Sequence, residues 1–243
     1  MRKNKLKISV FMMTVLSLVL PAEDSEKTVV LTFDDSVKSQ AEFVAPLLKK
    51  HGFNATFFIT EGFSFHKRKD LYMTWAQIKQ LHDQGFEIGN HTKSHRSVKK
   101  MSAEQLRKSL EHIENQCKKH GIPKPISFCY PGYATAPKAL KVLQEKGYRF
   151  ARAGGDKASE VAKDNLLLLP QAFDAKPKST LEQFKKAVDQ ADAKHIPILT
   201  FHGVPDLEHP WVTTSPEKFK AYMKYLKDND FKVISLRDYP LKN

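Results

Sequence analysis

The chain has 243 residues, 41% of them hydrophobic, which is enough for one sizeable globular domain such as an α/β barrel. Its formal charge is +13; Arg2, Lys3, Lys5 and Lys7 contribute four of these charges, and the remaining +9 is spread along the chain rather than gathered into a stripe or arm. That distribution argues against nucleic acid as a partner and suits an anionic envelope or an acidic glycan.

Residues 1–22 stand apart from the rest. A basic start is followed by an apolar run over 8–20, short for a membrane span and of signal-peptide size. Ala22 fits the last position before a cleavage site, but Leu20 is not the small residue expected two positions earlier. The segment reads as the signal peptide of an exported protein, whether periplasmic, secreted or envelope-associated. An uncleaved N-terminal anchor giving membrane attachment is the alternative. Residues 27–243 read as one domain.

That domain opens with "TVVLTFDDSV", in which Val29, Val30, Leu31 and Phe33 predict a strand buried on both faces. A helix-like run over 40–51 closes at Gly52, and a strand is predicted over 55–59. A helix over 75–84 follows Thr74 as its cap, and a strand over 86–89 leads to His91 and His95. A helix over 103–120 follows Ser102. On it, Leu106, Leu110, Ile113 and Cys117 share one face, which makes Cys117 a buried thiol rather than half of a disulfide with Cys129. Strands over 126–130, 150–153, 166–169, 196–201 and 231–236 and helices over 137–146, 181–193 and 216–228 complete the pattern. Alternation of strand and helix predicts an α/β fold, a distorted parallel (β/α) barrel of seven to eight strands in a single domain. The 154–165 connection is barely long enough for a crossover helix, so one unit is expected to be incomplete.

In such barrels chemistry gathers at the carboxyl ends of the strands. Asp34 and Asp35 end the first strand, His91 and His95 follow the third, "FCYPGY" ends the fourth, and His202 ends "LTFH". Adjacent carboxylates repel, and burial near a core adds to the cost. A helix cap would explain one of them, although Ser36 is available for that role; a nearby cation would explain both. Two His at i and i+4 on a helical turn can share a metal, and otherwise mark an exposed helix face. His₂-Asp with an open position is a catalytic metal arrangement.

The ordered motifs "TFDDS", "HTKSH", "CYPGY" and "LTFH" resemble those of the polysaccharide deacetylases with the nodulation-type chitooligosaccharide deacetylase domain, a carbohydrate esterase family. The resemblance extends over nearly all of 27–240. It implies a hydrolase that removes N-acetyl groups from an N-acetylhexosamine glycan with the help of a divalent metal, usually zinc. Asp34 would be the general base, and Asp35, His91 and His95 the metal ligands. His202 would be the general acid. Tyr130 would offer its backbone N–H to the oxyanion, with Pro131 beside it, and Leu199 would line the acetyl pocket. The glycan could be a chitooligosaccharide, peptidoglycan or an exopolysaccharide.

Two features depart from the family pattern. The Arg of the third motif, which steadies the catalytic Asp, is replaced by Cys129 or Tyr130, and the Asp-Trp pair of the fourth motif is not apparent. Arg152, in "FARAGGD", is the expected substitute: alternate residues of a barrel strand point inward, and an inward charge needs a partner. An outward Arg152 paired with a helix carboxylate is the other reading. Trp211 reads as a half-buried loop anchor or a sugar-stacking ring, Asn90 as support for a ligand or a turn former, and Trp75 as core. His51, His66 and His120 have no motif partner. Two further functions stand beside deacetylation: hydrolysis of a small non-sugar amide, and glycan binding without catalysis.

Overall fold

The computed structural model describes residues 27–241. The predicted leader over 1–22 lies outside the described residues, and no helix among those described is long and apolar enough to cross a membrane.

Eight parallel strands form one curled sheet: β1 (Thr28–Phe33), β2 (Thr56–Ile59), β3 (Glu87–Asn90), β4 (Ser127–Cys129), β5 (Phe150–Arg152), β6 (Phe173–Asp174), β7 (Ile198–Phe201) and β8 (Lys232–Ile234). The order is β5-β4-β3-β2-β1-β7-β6, with β8 pairing the first half of β1. β1 is central: its amino-terminal half pairs with β8, its carboxyl end with β2, and its other edge with β7.

Side chains alternate across this sheet as a barrel requires. Val30, Phe58, Cys129, Phe150 and Ile198 pack together inside. Val29, Leu31, Phe33, Leu199 and Phe201 face outward, against α1 (Ala45–His51), α2 (Trp75–Asp83), α5 (Leu181–Val188) and α6 (Pro216–Asp228). Phe128 and Ala151 face α3 (Ala103–Lys119) and α4 (Pro137–Glu145). Capping boxes at Thr74, Ser102 and Thr180 start α2, α3 and α5, each satisfying two end amides.

Four elements differ from the sequence pattern. The predicted strand over 166–169 is an isolated bridge, Arg152 to Leu169, yet it does a strand's work. Ala151 N–H donates to the Leu166 carbonyl and Ala153 N–H to that of Leu169; three residues on, Ala172 N–H donates to the Ile198 carbonyl. One extended segment thus leaves the β5 edge and joins the β7 edge, closing the barrel where a crossover helix is missing. The predicted strand over 196–201 is cut at Pro197, which has no amide to donate; its first part, His195–Ile196, pairs antiparallel with Ser159–Glu160 instead. The helix over 181–193 stops at Val188, and the Asp192 carboxylate then captures the amides of Lys194 and His195. The helix over 40–51 opens with a π-helical turn, Gln40–Val44, whose first side chain donates to the carbonyls of Asp34 and His202 and ties the ends of β1 and β7 together. Cys117 and Cys129 are both buried free thiols, Cys117 under α3 and Cys129 inside the barrel.

Candidate functional site

Asp34, Asp35, His91, His95 and His202 meet at the carboxyl end of the barrel in a cleft of about 260 Å³. Asp34 and Asp35 continue β1, and its ladder still holds Asp34, whose backbone N–H donates to the Phe201 carbonyl. His91 follows β3, its amide bonded to the Ile59 carbonyl. His91 and His95 do not share a helical turn. The segment is a loop in which Thr92 and His95 take left-handed backbone, and this brings the two rings to 4.7 Å in an edge-to-face contact.

Asp35 Oδ1 lies 3.4 Å from Nε2 of both His91 and His95. Tetrahedral bonds of about 2.1 Å set ligand atoms about 3.4 Å apart, so these three residues fit a divalent ion such as zinc. Asp35 Oδ1 and Asp34 Oδ1 are buried with no hydrogen-bond partner, an expensive condition unless a cation or substrate meets them. His91 Nδ1 faces the Cys129 carbonyl at 2.9 Å, which fixes the ring and leaves Nε2 to coordinate. Burial lowers the His91 pKa, yet Cys129 and the Asp35 and Asp34 carboxylates raise it well above its ordinary value. The pair of acids therefore draws a positive charge to this spot. Burial and the adjacent His91 push His95 down to about 4, leaving the neutral imidazole that a metal ligand requires.

Asp34 has a different environment. Arg152 points into the barrel, completely buried, with Nη2 2.5 Å from Asp34 Oδ2 and Nη1 2.7 Å from Gln171 Oε1. Gln171 Oε1 also accepts from Thr200 at 2.7 Å. Nη2 lies 2.7 Å from Cys129 Sγ as well. Burial raises the Asp34 pKa, but Arg152, aided by His91 and His202, outweighs it and holds the carboxyl below the usual range. Burial raises the Cys129 pKa, which keeps it a neutral thiol beside the ion pair. His202 Nε2 lies 3.9 Å from Asp35 Oδ2.

Three predicted contacts require correction. The Tyr130 amide already donates to the Arg152 carbonyl at 3.1 Å in the β4–β5 ladder, and the side chain is buried with its hydroxyl on the Leu167 carbonyl. Pro131 is buried, and it is Gly132 and Tyr133 that line the cleft. Leu199 lies in the outer core between sheet and helices, because it is out of step with His202 on a strand of period two; Val212 is the aliphatic residue at the cleft. Trp211 is no buried anchor, being 65% exposed at the cleft rim beside His209. Asn90 is buried support: it donates to Leu110 and Tyr148 and accepts from the Thr92 amide, which shapes the His91 loop.

No pattern in the sequence marks the loop over 60–63, which couples the ligand segments. Asp35 and Ser36 have positive φ, and the Ser36 hydroxyl holds that strained turn by donating to the Thr60 carbonyl at 2.9 Å and accepting its amide at 3.0 Å. Glu61 N–H donates to the Lys93 carbonyl. The Glu61 carboxylate, 1% exposed, accepts from Trp75 at 2.7 Å and meets His112 at 2.5 Å and His66 at 3.1 Å. His66 therefore has a partner after all, while His120 stacks on Trp75 and His51 on Phe53. A Cβ on Gly62 would lie 2.9 Å from the Ser94 carbonyl carbon and 3.0 Å from His95 Cβ.

A family model described as "Polysaccharide deacetylase" matches residues 22–151, just over half of the chain. The chain is 26% identical over 134 residues to the putative polysaccharide deacetylase YxkH of Bacillus subtilis, covering 55% of this chain and 47% of that one. It is 29% identical over 127 residues to a peptidoglycan-N-acetylglucosamine deacetylase of Bacillus cereus, covering 52% and 56%. The chain thus spans about half the length of these curated relatives. A family 4 acetyl xylan esterase from Clostridium thermocellum, solved with a cobalt ion, superimposes with a TM-score of 0.59 at 24% identity, over 87% of this chain and 89% of that one. At that identity the likeness is one of fold.

The tight approach of Gly62 to His95 makes a prediction. Gly62→Ala should displace His95 and weaken affinity for a divalent ion by roughly 10–100-fold, the range for losing outer support of a metal ligand. Competition with a chromogenic chelator measures this, and unchanged affinity would show that the 60–63 loop does not set the ligand geometry.

Proposed function

Because the chain belongs to the polysaccharide deacetylase family, we propose that it is a metal-dependent hydrolase that removes N-acetyl groups from an N-acetylhexosamine-containing glycan. The observation that carries this reading is the split environment of two consecutive carboxylates: Asp35 faces two imidazoles at 3.4 Å, while Asp34 faces a buried guanidinium. One acid is set to hold a cation with His91 and His95, and the other is kept free to move a proton.

Asp35, His91 and His95 would hold a divalent ion, which when bound would supply Lewis-acid polarisation of the amide carbonyl and would lower the pKa of a water. Arg152 and the Cys129 thiol both engage Asp34 Oδ2, which leaves Oδ1, buried and without a partner, to take the proton of the attacking water. Arg152 keeps that carboxylate ionised and oriented. His202, on the Asp35 side of the cleft, delivers a proton to the departing sugar amine. The Gly132 amide replaces that of Tyr130 as the source of a hydrogen bond to the developing oxyanion, since Gly132 lines the cleft and the Tyr133 amide already donates to the Tyr130 carbonyl. Val212 offers an apolar wall for the acetyl methyl.

The glycan is one of the chitooligosaccharide, peptidoglycan and exopolysaccharide classes; the two curated relatives support such a substrate through their names. Export through the leader over 1–22 fits a substrate outside the cytoplasm. Acetate release from a panel of N-acetylated glycans tests the reading, with a chelator abolishing the release and zinc restoring it. Ammonia from small amides with no acetate from glycans would point to the non-sugar hydrolase, and glycan binding with no product to a catalytically silent protein.

Arg152→Met keeps much of the side-chain length and removes the charge. Burial then acts on Asp34 with only His91 and His202 left to oppose it, and its pKa rises. The ionised base is lost at a higher pH than in the wild type, so the acidic limb of the pH–rate profile moves upward and turnover falls while the metal stays bound. An unmoved limb would remove Arg152 from the task of holding the base.

A further inference from the structure

We propose that the basic cavity between the His91–His95 loop and α3 binds an oxyanion, a carboxylate or a phosphodiester, carried by the glycan whose acetamide enters the cleft. The inference rests on the glycan deacetylase reading and deepens it: the substrate is an anionic polymer, and its charge is met at this cavity.

The cavity has a volume of about 300 Å³. Lys93, Arg96, Lys108 and His112 line it, with Ser94 and Ser109 beside them, and no carboxylate belongs to its wall. Lys93 and Ser94 stand between His91 and His95 in the chain, so one loop serves two sites: its histidines line the cleft and its cations line the cavity. The chain keeps this segment free of acids. No Asp or Glu occurs between Glu87 and Glu104, while Lys93, Arg96, Lys99 and Lys100 place four cations in eight residues.

On other faces the surface lysines have an acid one helical turn away, as Lys38 has Glu42 at 3.3 Å and Lys79 has Asp83 at 2.5 Å. Here the Lys93 ammonium and the Arg96 guanidinium have no hydrogen-bond or ion-pair partner among the described residues. Lys108 pairs with Glu104 at 2.8 Å, but both side chains stand in water, where such a contact holds weakly. Cations gathered on one wall repel each other and focus positive potential into the cavity, a cost that a bound anion relieves. The wall is also fixed in place. The Lys93 amide donates to Ser109 Oγ at 2.9 Å, and its carbonyl accepts the Glu61 amide at 3.0 Å. The buried Glu61 carboxylate, 2.5 Å from His112 Nε2, orients that ring. A wall ordered beforehand loses little freedom when a ligand arrives.

The side chains select the ligand. Arg96 presents a planar fork that matches two oxygens of a carboxylate or phosphate, and Lys93 and Lys108 add point charges. No Phe, Tyr or Trp lines the cavity, so it offers no platform for stacking the bases of a nucleic acid. Met101 is its one apolar residue, too little for an acyl chain. An acid group on a glycan needs neither of these.

The test compares acetate release from peptide-free peptidoglycan strands, which carry a lactyl carboxylate on alternate sugars, with release from the neutral N-acetylglucosamine tetramer. In Arg96→Gln, kcat/KM for the strands should fall about tenfold, mainly through KM, as expected for one lost charge-assisted contact, while the tetramer is hydrolysed as by the wild type. Arg96→Lys should keep most of the wild-type value, and adding Lys108→Gln to Arg96→Gln should deepen the loss. At equal ionic strength, inorganic phosphate should inhibit turnover of the strands more than that of the tetramer, and Arg96→Gln should remove the difference. Stronger competition by a glycerol phosphate polymer than by polygalacturonate assigns the oxyanion to a phosphodiester, and the reverse order assigns it to a carboxylate; either order supports the site. Unchanged kcat/KM for the strands in the double variant, together with equal phosphate inhibition of both substrates, would overturn the anion site and leave the deacetylase reading in place. A wild type that releases no acetate from either substrate would overturn both.

Discussion

Arg152 Nη2 lies 2.5 Å from Asp34 Oδ2 inside the barrel, with neither side chain open to water. A buried ion pair of this kind adds little net stability, but removing one partner strands the other charge at a cost of about 3–5 kcal/mol. Here the pair solves a problem set by the chain itself, which places two acids side by side at the end of its central strand. With Arg152 neutralising Asp34 from within the barrel, the Asp35 charge is left to face outward, toward His91 and His95. The barrel floor below is arranged around this pair: Gln171, itself held by Thr200, takes the second arm of the guanidinium, and the Cys129 thiol lies against both Asp34 and Arg152.

The same constraint explains the strain above it. Asp35, Ser36, Thr92 and His95 all have left-handed backbone, so the ligand loops are bent sharply inward. Such turns persist only where their surroundings over-determine them. The 60–63 loop does so from both sides, by the hydroxyl of Ser36 on one and by the Lys93 carbonyl and the His95 side chain on the other. Glu61 in turn anchors this loop to α2 through Trp75 and to α3 through His112. The helices that pack the outside of the sheet thereby reach the geometry at its mouth.

Much of this was legible in the sequence because burial on both faces leaves a strong signal. The runs around Val30, Phe58 and Ile198 marked the central strands, and the polar residues at their ends stood out against them. The inward path of Arg152 followed from strand alternation and from the cost of burying a charge alone. The same alternation, applied to Leu199, would have set it on the outer face, opposite to Thr200 and His202. Short strands carry little sequence signal: Phe173–Asp174 and Ser159–Glu160 each pair through two residues, and the strand predicted over 166–169 reduces to a bridge at Leu169 because its partners are supplied only by closure. The i, i+4 spacing of His91 and His95 identified the pair but not its backbone, since left-handed turns at Thr92 and His95 replace a helix. The grouping of Glu61, His66, His112 and Trp75 was invisible because its members lie on three different segments and no local pattern joins them.

The division of labour between the two acids is tested most directly by metal stoichiometry in Asp34→Asn and Asp35→Asn, measured by equilibrium dialysis against zinc alongside acetate release. Asp34→Asn should bind one zinc per chain and release no acetate above background, whereas Asp35→Asn should lose the zinc together with the activity. The reverse pattern, zinc retained by Asp35→Asn and lost by Asp34→Asn, would contradict the assignment of the ligand to Asp35 and of the base to the carboxylate that Arg152 holds.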